Sequence, residues 1–179
     1  MRRNIEGFKV DGDRLILESD DAFKEAPIKL LTLFAQAQKH ELDIHPNALR
    51  VVTQSLNLID KSIRRDPVAN EVFMEILTSR KDLELTLRRL NEAGVLGRFV
   101  TEFGRVVAQM QYDMYHVYTV DEHTIRAIGI LARIEKGVLK QDHPVASSVI
   151  HEIQSRRVLF IAVLLHDIEI GRASCRERV

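Results

Sequence analysis

Residues Ser155 to Ile168 read SRRVLFIAVLLHDI, a run that is apolar on nearly every face from Val158 to Leu165 and closes on His166-Asp167. A helix without a polar stripe has to be covered on all sides, so this segment is expected to be a central, buried helix. The eight apolar residues fall far short of the roughly 20 that a membrane span requires. Some thirty residues upstream, Thr119-Val120-Asp121-Glu122 has the form of a capping box, in which Thr119 accepts from the N3 amide and Glu122 reaches back to the cap. The helix that follows carries Ile125, Ile128, Leu131, Ala132 and Glu135 and is expected to end near Gly137.

The same helical spacing extends towards the N-terminus. Ile28, Leu31, Phe34 and Ala35 lie on one stripe behind Pro27, and a proline suits the first helical position because its missing N–H would have been unpaired there anyway. Pro46 opens a second such helix with Leu49, Val52, Leu56 and Ile59. Pro67 opens a third with Val68, Val72, Ile76 and Leu77. A fourth, about 82 to 93, carries Leu83, Leu87 and Leu90 and stops at Gly94, which readily takes a left-handed C-cap. Gly97 and Gly104 then break up a connector, and a seam is expected near residues 94–105. Only residues 7–17 depart from this pattern, with two short apolar runs around Asp11-Gly12, a dipeptide favoured in type I′ hairpin turns. The expected fold is all-α: a helical bundle and a second helical domain, with one small N-terminal β-hairpin and almost no other sheet.

Composition narrows the function. The 179 residues hold 26 basic and 26 acidic side chains, with the basic ones scattered, so no electrostatic footprint for nucleic acid is present. A single cysteine, Cys175, excludes a disulfide scaffold and favours a reducing, cytoplasmic setting. Met1 leads into Arg2, Arg3 and Asn4 without the apolar run of a signal peptide. Nucleophile elbow, Walker loop, Rossmann glycines and His-Glu-x-x-His are all missing from the sequence.

His166-Asp167 carries the strongest chemical signal. A carboxylate set beside an imidazole among aliphatic neighbours needs a compensating partner, and a divalent cation is one. Nitrogen and oxygen donors together suit Mg, Mn, Fe or Zn. A plainer reading is that His166 caps the last carbonyls of its helix while Asp167 points into water. His123 adds weight to the metal reading, because it lies in the first turn of the preceding long helix, where it can meet the His-Asp pair. His116, between Tyr115 and Tyr118, is a candidate contact for a substrate phosphate, or else a packed, hydrogen-bonded side chain. His40, His45, His143 and His151 have no acidic or histidine neighbour at ligand spacing and read as surface or cap residues.

A longer resemblance rests on LNEAGVLGRF (Leu90 to Phe99), FGRVVAQMQYDMYHVYTVDEHTI (Phe103 to Ile125), RRVL (Arg156 to Leu159) and LLHDI (Leu164 to Ile168), together with IHPNALR (Ile44 to Arg50) and LID (Leu58 to Asp60). Over about residues 4–168 the chain resembles the bifunctional PII uridylyltransferase/uridylyl-removing enzymes of bacterial nitrogen control. In that family a nucleotidyltransferase domain attaches UMP to a tyrosine of the PII signal protein, an HD domain hydrolyses it off, and ACT domains sense glutamine.

The resemblance implies four segments: 1–20, the hairpin and end of the nucleotidyltransferase region; 21–100, the helical region; 101–168, a truncated HD domain; and 169–179, a non-native tail. It implies His123, His166 and Asp167 as ligands of a divalent metal, Mg or Mn, with His166 and Asp167 catalytic. PII is the implied partner and UMP-tyrosine the substrate group, with no nucleic acid or membrane involved. Two departures stand out. The family's further downstream aspartate has no counterpart, and the Gly-Ser and paired-Asp signature of the transferase is missing, so an inactive fragment without transferase chemistry is expected. The last eleven residues have no helical period and match an in-frame translation of a sequencing-library adapter. Two other readings stay open: a non-catalytic helical interaction module, and a stand-alone HD-type nucleotide phosphohydrolase.

Overall fold

A computed structural model describes residues 4–105, 107 and 119–168. The chain forms two compact units, Met1–Thr101 and Glu102–Val179. His116, Cys175 and the tail at 169–179 lie outside the described residues.

In the first unit, β1 (Asn4–Ile5), β2 (Phe8–Asp11) and β3 (Arg14–Leu17) form an antiparallel meander, and β4 (Asp43–Ile44) adds in parallel to β3. The expected hairpin is therefore present within a larger sheet than the sequence suggested. Its turn is also one residue later. Asp11 pairs with Arg14, leaving Gly12-Asp13 at the tip. Gly12 has φ of 60° and Asp13 is not among the positive-φ residues, the pattern of a turn with glycine at its first central position. Strands β1 and β4 were missed because two residues are too short to show alternation.

After α1 (Ala22–Glu25), α2 (Lys29–His40) buries Leu30, Leu31, Leu33, Phe34, Ala35, Gln36, Ala37 and Gln38. It begins past Pro27, whose carbonyl instead accepts from the Leu30 amide. Residues on every side of α2 are covered because α5, α6, α1, β3 and β4 all pack against it. Around it stand α3 (Pro46–Gln54), α4 (Lys61–Arg65), α5 (Pro67–Leu77), α6 (Leu83–Glu92) and α7 (Val95–Phe99).

Side-chain caps start three of these helices. His45 Nδ1 accepts from the Asn47 amide before Pro46, and Asp66 accepts from the Val68 amide at 2.8 Å before Pro67. Asp60 accepts from Ser62 Oγ and from the Ser62 and Ile63 amides, and these donors, the hydroxyl foremost, hold its carboxyl below the usual range. Asp66→Ala is expected to lower stability by about 1 kcal/mol, the usual cost of losing an N-cap acceptor. Urea titration followed by circular dichroism would measure it.

The core face of α5 is rotated from the expected one. Ala69, Phe73, Ile76 and Leu77 are buried, whereas Val68 is 61% exposed. Phe73 selects that face through its ring contact with Phe99, centroids 5.2 Å apart.

The helix α8 (Thr101–Gly104) crosses the boundary between the units. In the second unit, α9 (Val120–Glu135) is followed by α10 (Pro144–Val149) and α11 (Arg156–Leu165). Thr119 caps α9 with extended backbone geometry, but its side chain makes no capping bond, so the expected capping box does not close. At the far end Gly137 N–H donates to Ile134 O and Val138 N–H to Arg133 O, a Schellman stop.

The expectation for the quoted run needs the largest correction. Within α11 only Phe160 and Leu164 are buried, while Val158 is 66% exposed and Leu165 40%. Its main packing partner is α9, and one helix can cover only one side of another. The helix enclosed on nearly every side is α2. Among the described residues no helix is long and apolar enough to cross a membrane.

Candidate metal centre

Two helices of the second unit bring the three predicted donors together. His123 stands in the first turn of α9, its amide donating to Thr119 O at 2.9 Å. His166 is the C-cap of α11, and Asp167 follows in a turn closed by Ile168 N–H to Leu165 O at 3.2 Å. His123 Nε2 lies 3.4 Å and His166 Nε2 3.0 Å from the same oxygen, Asp167 Oδ2. All the donor atoms fall within 4.8 Å of one another, and the two rings are tilted by 43° with centroids 5.9 Å apart. The Asp167 side chain is 11% exposed, against 48% for His123 and 40% for His166, so an enclosed carboxylate sits beneath two accessible rings.

The plainer reading of His166, as a cap on the last carbonyls of its helix, is met. Its Nδ1 lies 2.6 Å from Val163 O, so it does satisfy a helix-end carbonyl. A carbonyl has no proton to give, so Nδ1 carries a hydrogen, and in the neutral ring Nε2 is then left with a bare lone pair. That lone pair faces a carboxylate oxygen 3.0 Å away. Two acceptors at this separation repel unless a proton or a cation lies between them. Asp167, in contrast, does not point into water as the plainer reading would have it.

The donor set suits a divalent ion. Metal–N and metal–O bonds of about 2.0–2.2 Å place neighbouring ligand atoms about 3.0 Å apart in an octahedron and about 3.3 Å apart in a tetrahedron. The separations of 3.4 and 3.0 Å from Asp167 Oδ2 lie close to these values. The partial negative charge at the C-terminal end of α11 also favours a cation beside His166. Among the described residues this is the sole His/Cys/Asp/Glu grouping of its kind.

His45 has the cap role expected of it, whereas His143 occupies an N-cap position without a side-chain bond. Sequence reasoning missed the contact that joins the other ends of α9 and α11. Arg156 Nε donates to Glu135 Oε1 at 2.6 Å and Arg156 Nη2 to Glu135 Oε2 at 2.8 Å. No local pattern marks a pair 21 residues apart. Val163 could have been found, since it lies one turn before His166.

Residues 8–99 match the family model described as the uridylyltransferase GlnD third domain. The chain is 60% identical over 171 residues to the bifunctional uridylyltransferase/uridylyl-removing enzyme of Azospirillum brasilense, covering 96% of the chain and 18% of that protein. The enzyme of the same name from Rhodospirillum rubrum is 57% identical over the same shares, 96% and 18%. That of Caulobacter vibrioides strain NA1000 is 48% identical over 98% of the chain and 19% of its own length. The chain thus spans less than a fifth of these relatives. Since the third-domain model takes in just over half of its residues, this chain belongs to the uridylyltransferase GlnD family.

Proposed function

We propose that the second unit is the metal-dependent HD portion of a uridylyl-removing enzyme, which hydrolyses UMP from a uridylylated tyrosine of the PII signal protein, and that the chain holds no part of the transferase site. The observation that carries this reading is the convergence of two imidazole nitrogens on one enclosed carboxylate oxygen. The relatives' shared name includes uridylyl removal. The net reaction is water plus UMP-tyrosine giving UMP and tyrosine.

His123, His166 and Asp167 would hold Mg or Mn. Once bound, the ion supplies Lewis acidity at the phosphoryl group and eases ionisation of water. The chain's own groups set up that chemistry. The Val163 carbonyl holds Nδ1–H, orienting Nε2 of His166 towards the donor cluster, and the enclosure of Asp167 excludes competing water. The exposed edges of both rings leave an approach for a protein-borne phosphodiester. A cytoplasmic setting accords with this substrate.

The three donors among the described residues leave much of a coordination sphere unfilled, so metal affinity is modest and turnover low. With uridylylated PII and Mn, the 179-residue chain is expected to release little or no UMP while still binding Mn. UMP release measured by chromatography, beside Mn binding measured by electron paramagnetic resonance, provides the test. Release at the rate of a full-length relative, abolished by His166→Ala, would refute the low-turnover proposal. Failure to bind Mn would refute the metal assignment, and PII binding without either would favour an interaction module.

A further inference from the structure

The two contacts between α9 and α11 lie at opposite ends of the helix pair. His123, near the start of α9, meets Asp167 just past the end of α11, and Glu135, the last residue of α9, meets Arg156, the first of α11. The helices therefore run antiparallel. At 1.5 Å per residue the distance from one contact to the other is about 18 Å along α9 and about 17 Å along α11 and its C-cap turn.

Between these ends the described burial is mostly aliphatic and aromatic, with Thr124 the buried polar side chain. From α11 only Phe160 and Leu164 are fully buried, while α9 buries aliphatic side chains such as Ile125 and Ile128. Apolar burial scales with area and discriminates poorly between small axial shifts. The Glu135–Arg156 contact is different in kind: a two-pronged guanidinium–carboxylate fork that fixes both separation and rotation. Its side chains are only 14% and 22% exposed, and the guanidinium carbon lies 4.2 Å from the centroid of the fully buried Phe160 ring. A charge-assisted pair so enclosed is far less screened than a surface one.

We propose that Glu135 and Arg156 are positioning residues that set the axial register of α11 on α9 and so hold His166 and Asp167 at ligand distance from His123. This rests on the metal-centre reading above. A ligand cluster works only when held to within about 0.5 Å, so a register shift of even a fraction of one residue's rise disrupts it.

The test measures Mn affinity by electron paramagnetic resonance, using the whole 179-residue chain at a temperature where circular dichroism shows each variant folded. Glu135→Gln keeps the shape and removes the charge; Arg156→Lys keeps the charge and removes the fork. Each is expected to weaken Mn binding about 10-fold or more, in the range seen when outer-shell partners of metal ligands are changed. The reversed pair, Glu135→Arg with Arg156→Glu, should recover part of the loss. Glu84→Gln breaks the α6 pair with Arg88, 3.3 Å apart in the first unit, and should leave affinity unchanged.

A merely stabilising ion pair would lower the melting temperature of Glu135→Gln while its folded form bound Mn within twofold of wild type, and that result overturns the proposal. If neither single variant folds, the pair determines the fold rather than positions the site, and the proposal is wrong. His166→Ala separates the two readings. Wild-type binding that survives His166→Ala refutes the metal centre itself, whereas binding lost in His166→Ala but kept in both Glu135→Gln and Arg156→Lys refutes only the positioning role.

Discussion

Replacing Asp167 by Asn is expected to cut Mn affinity by more than about 100-fold, beyond the ~10–100-fold that outer-shell changes cost, while leaving the metal-free chain as stable as before or more so. The two effects have opposite signs for one reason. Asp167 Oδ2 is the atom both histidines approach, at 3.4 and 3.0 Å, so losing its charge removes the centre of the donor set. In the metal-free chain that same oxygen lies 3.0 Å from His166 Nε2, whose ring is oriented by the Val163 carbonyl. Beside a neutral ring, an asparagine amide can place an N–H against Nε2 and turn a repulsion between acceptors into a hydrogen bond, a gain of about 1 kcal/mol. Sites that bind ions commonly sacrifice stability in this way. Thermal melts with and without Mn would measure both halves. A clear drop in metal-free melting temperature would show that the carboxylate is already satisfied without metal.

Gly94→Ala should be the more damaging of two matched glycine substitutions. Gly94 has φ of 78° at the end of α6, and a Cβ built there would lie 2.9 Å from Leu56 Cδ1. Gly137, at the end of α9, has φ of 75° and nothing within 4 Å of the same added atom. Both alanines incur the left-handed backbone cost of about 1 kcal/mol. Only Gly94→Ala must also turn aside the methyl end of the half-buried Leu56, adding about 1 kcal/mol, the cost of an off-rotamer side chain. The expected totals are about 2 kcal/mol for Gly94→Ala and about 1 kcal/mol for Gly137→Ala. Denaturant titration of both variants reads the difference directly, and equal losses would mean that Leu56 yields at no cost.

Local rules carried much of this fold. Pro46 and Pro67 open α3 and α5 because each has a capping side chain just before it, and α6 ends where Gly94 permits a left-handed residue. Each of these decisions involves neighbours a few residues apart, which is why it is legible along the chain. The candidate site was legible at the same level: His166-Asp167 as a pair, and His123 as a residue in the first turn of the preceding long helix.

Errors arose wherever burial had to be assigned from hydrophobicity. The run from Val158 to Leu165 looks more enclosed than α2, whose sequence includes Gln36, Gln38 and Lys39, yet Gln36 and Gln38 are buried and Val158 is exposed. A side chain's apolarity states what it would gain from cover, but the number of neighbouring elements decides whether cover is present. Similarly, the core face of α5 shifted from Val68 to Ala69 and Phe73 because the helix turns to place the larger ring against Phe99.

By itself the sequence determined the helical class, the starts of α3 and α5, the stop of α6, the family and the identities of the candidate metal donors, since each depends on local backbone preference or on the residues themselves. Only the tertiary structure decided that two imidazoles converge on one oxygen of Asp167, which ring nitrogen of His166 meets the Val163 carbonyl, and that Glu135 and Arg156 close the other end of the same helix pair. Those features depend on the register between α9 and α11, a relation between distant segments that no local preference encodes.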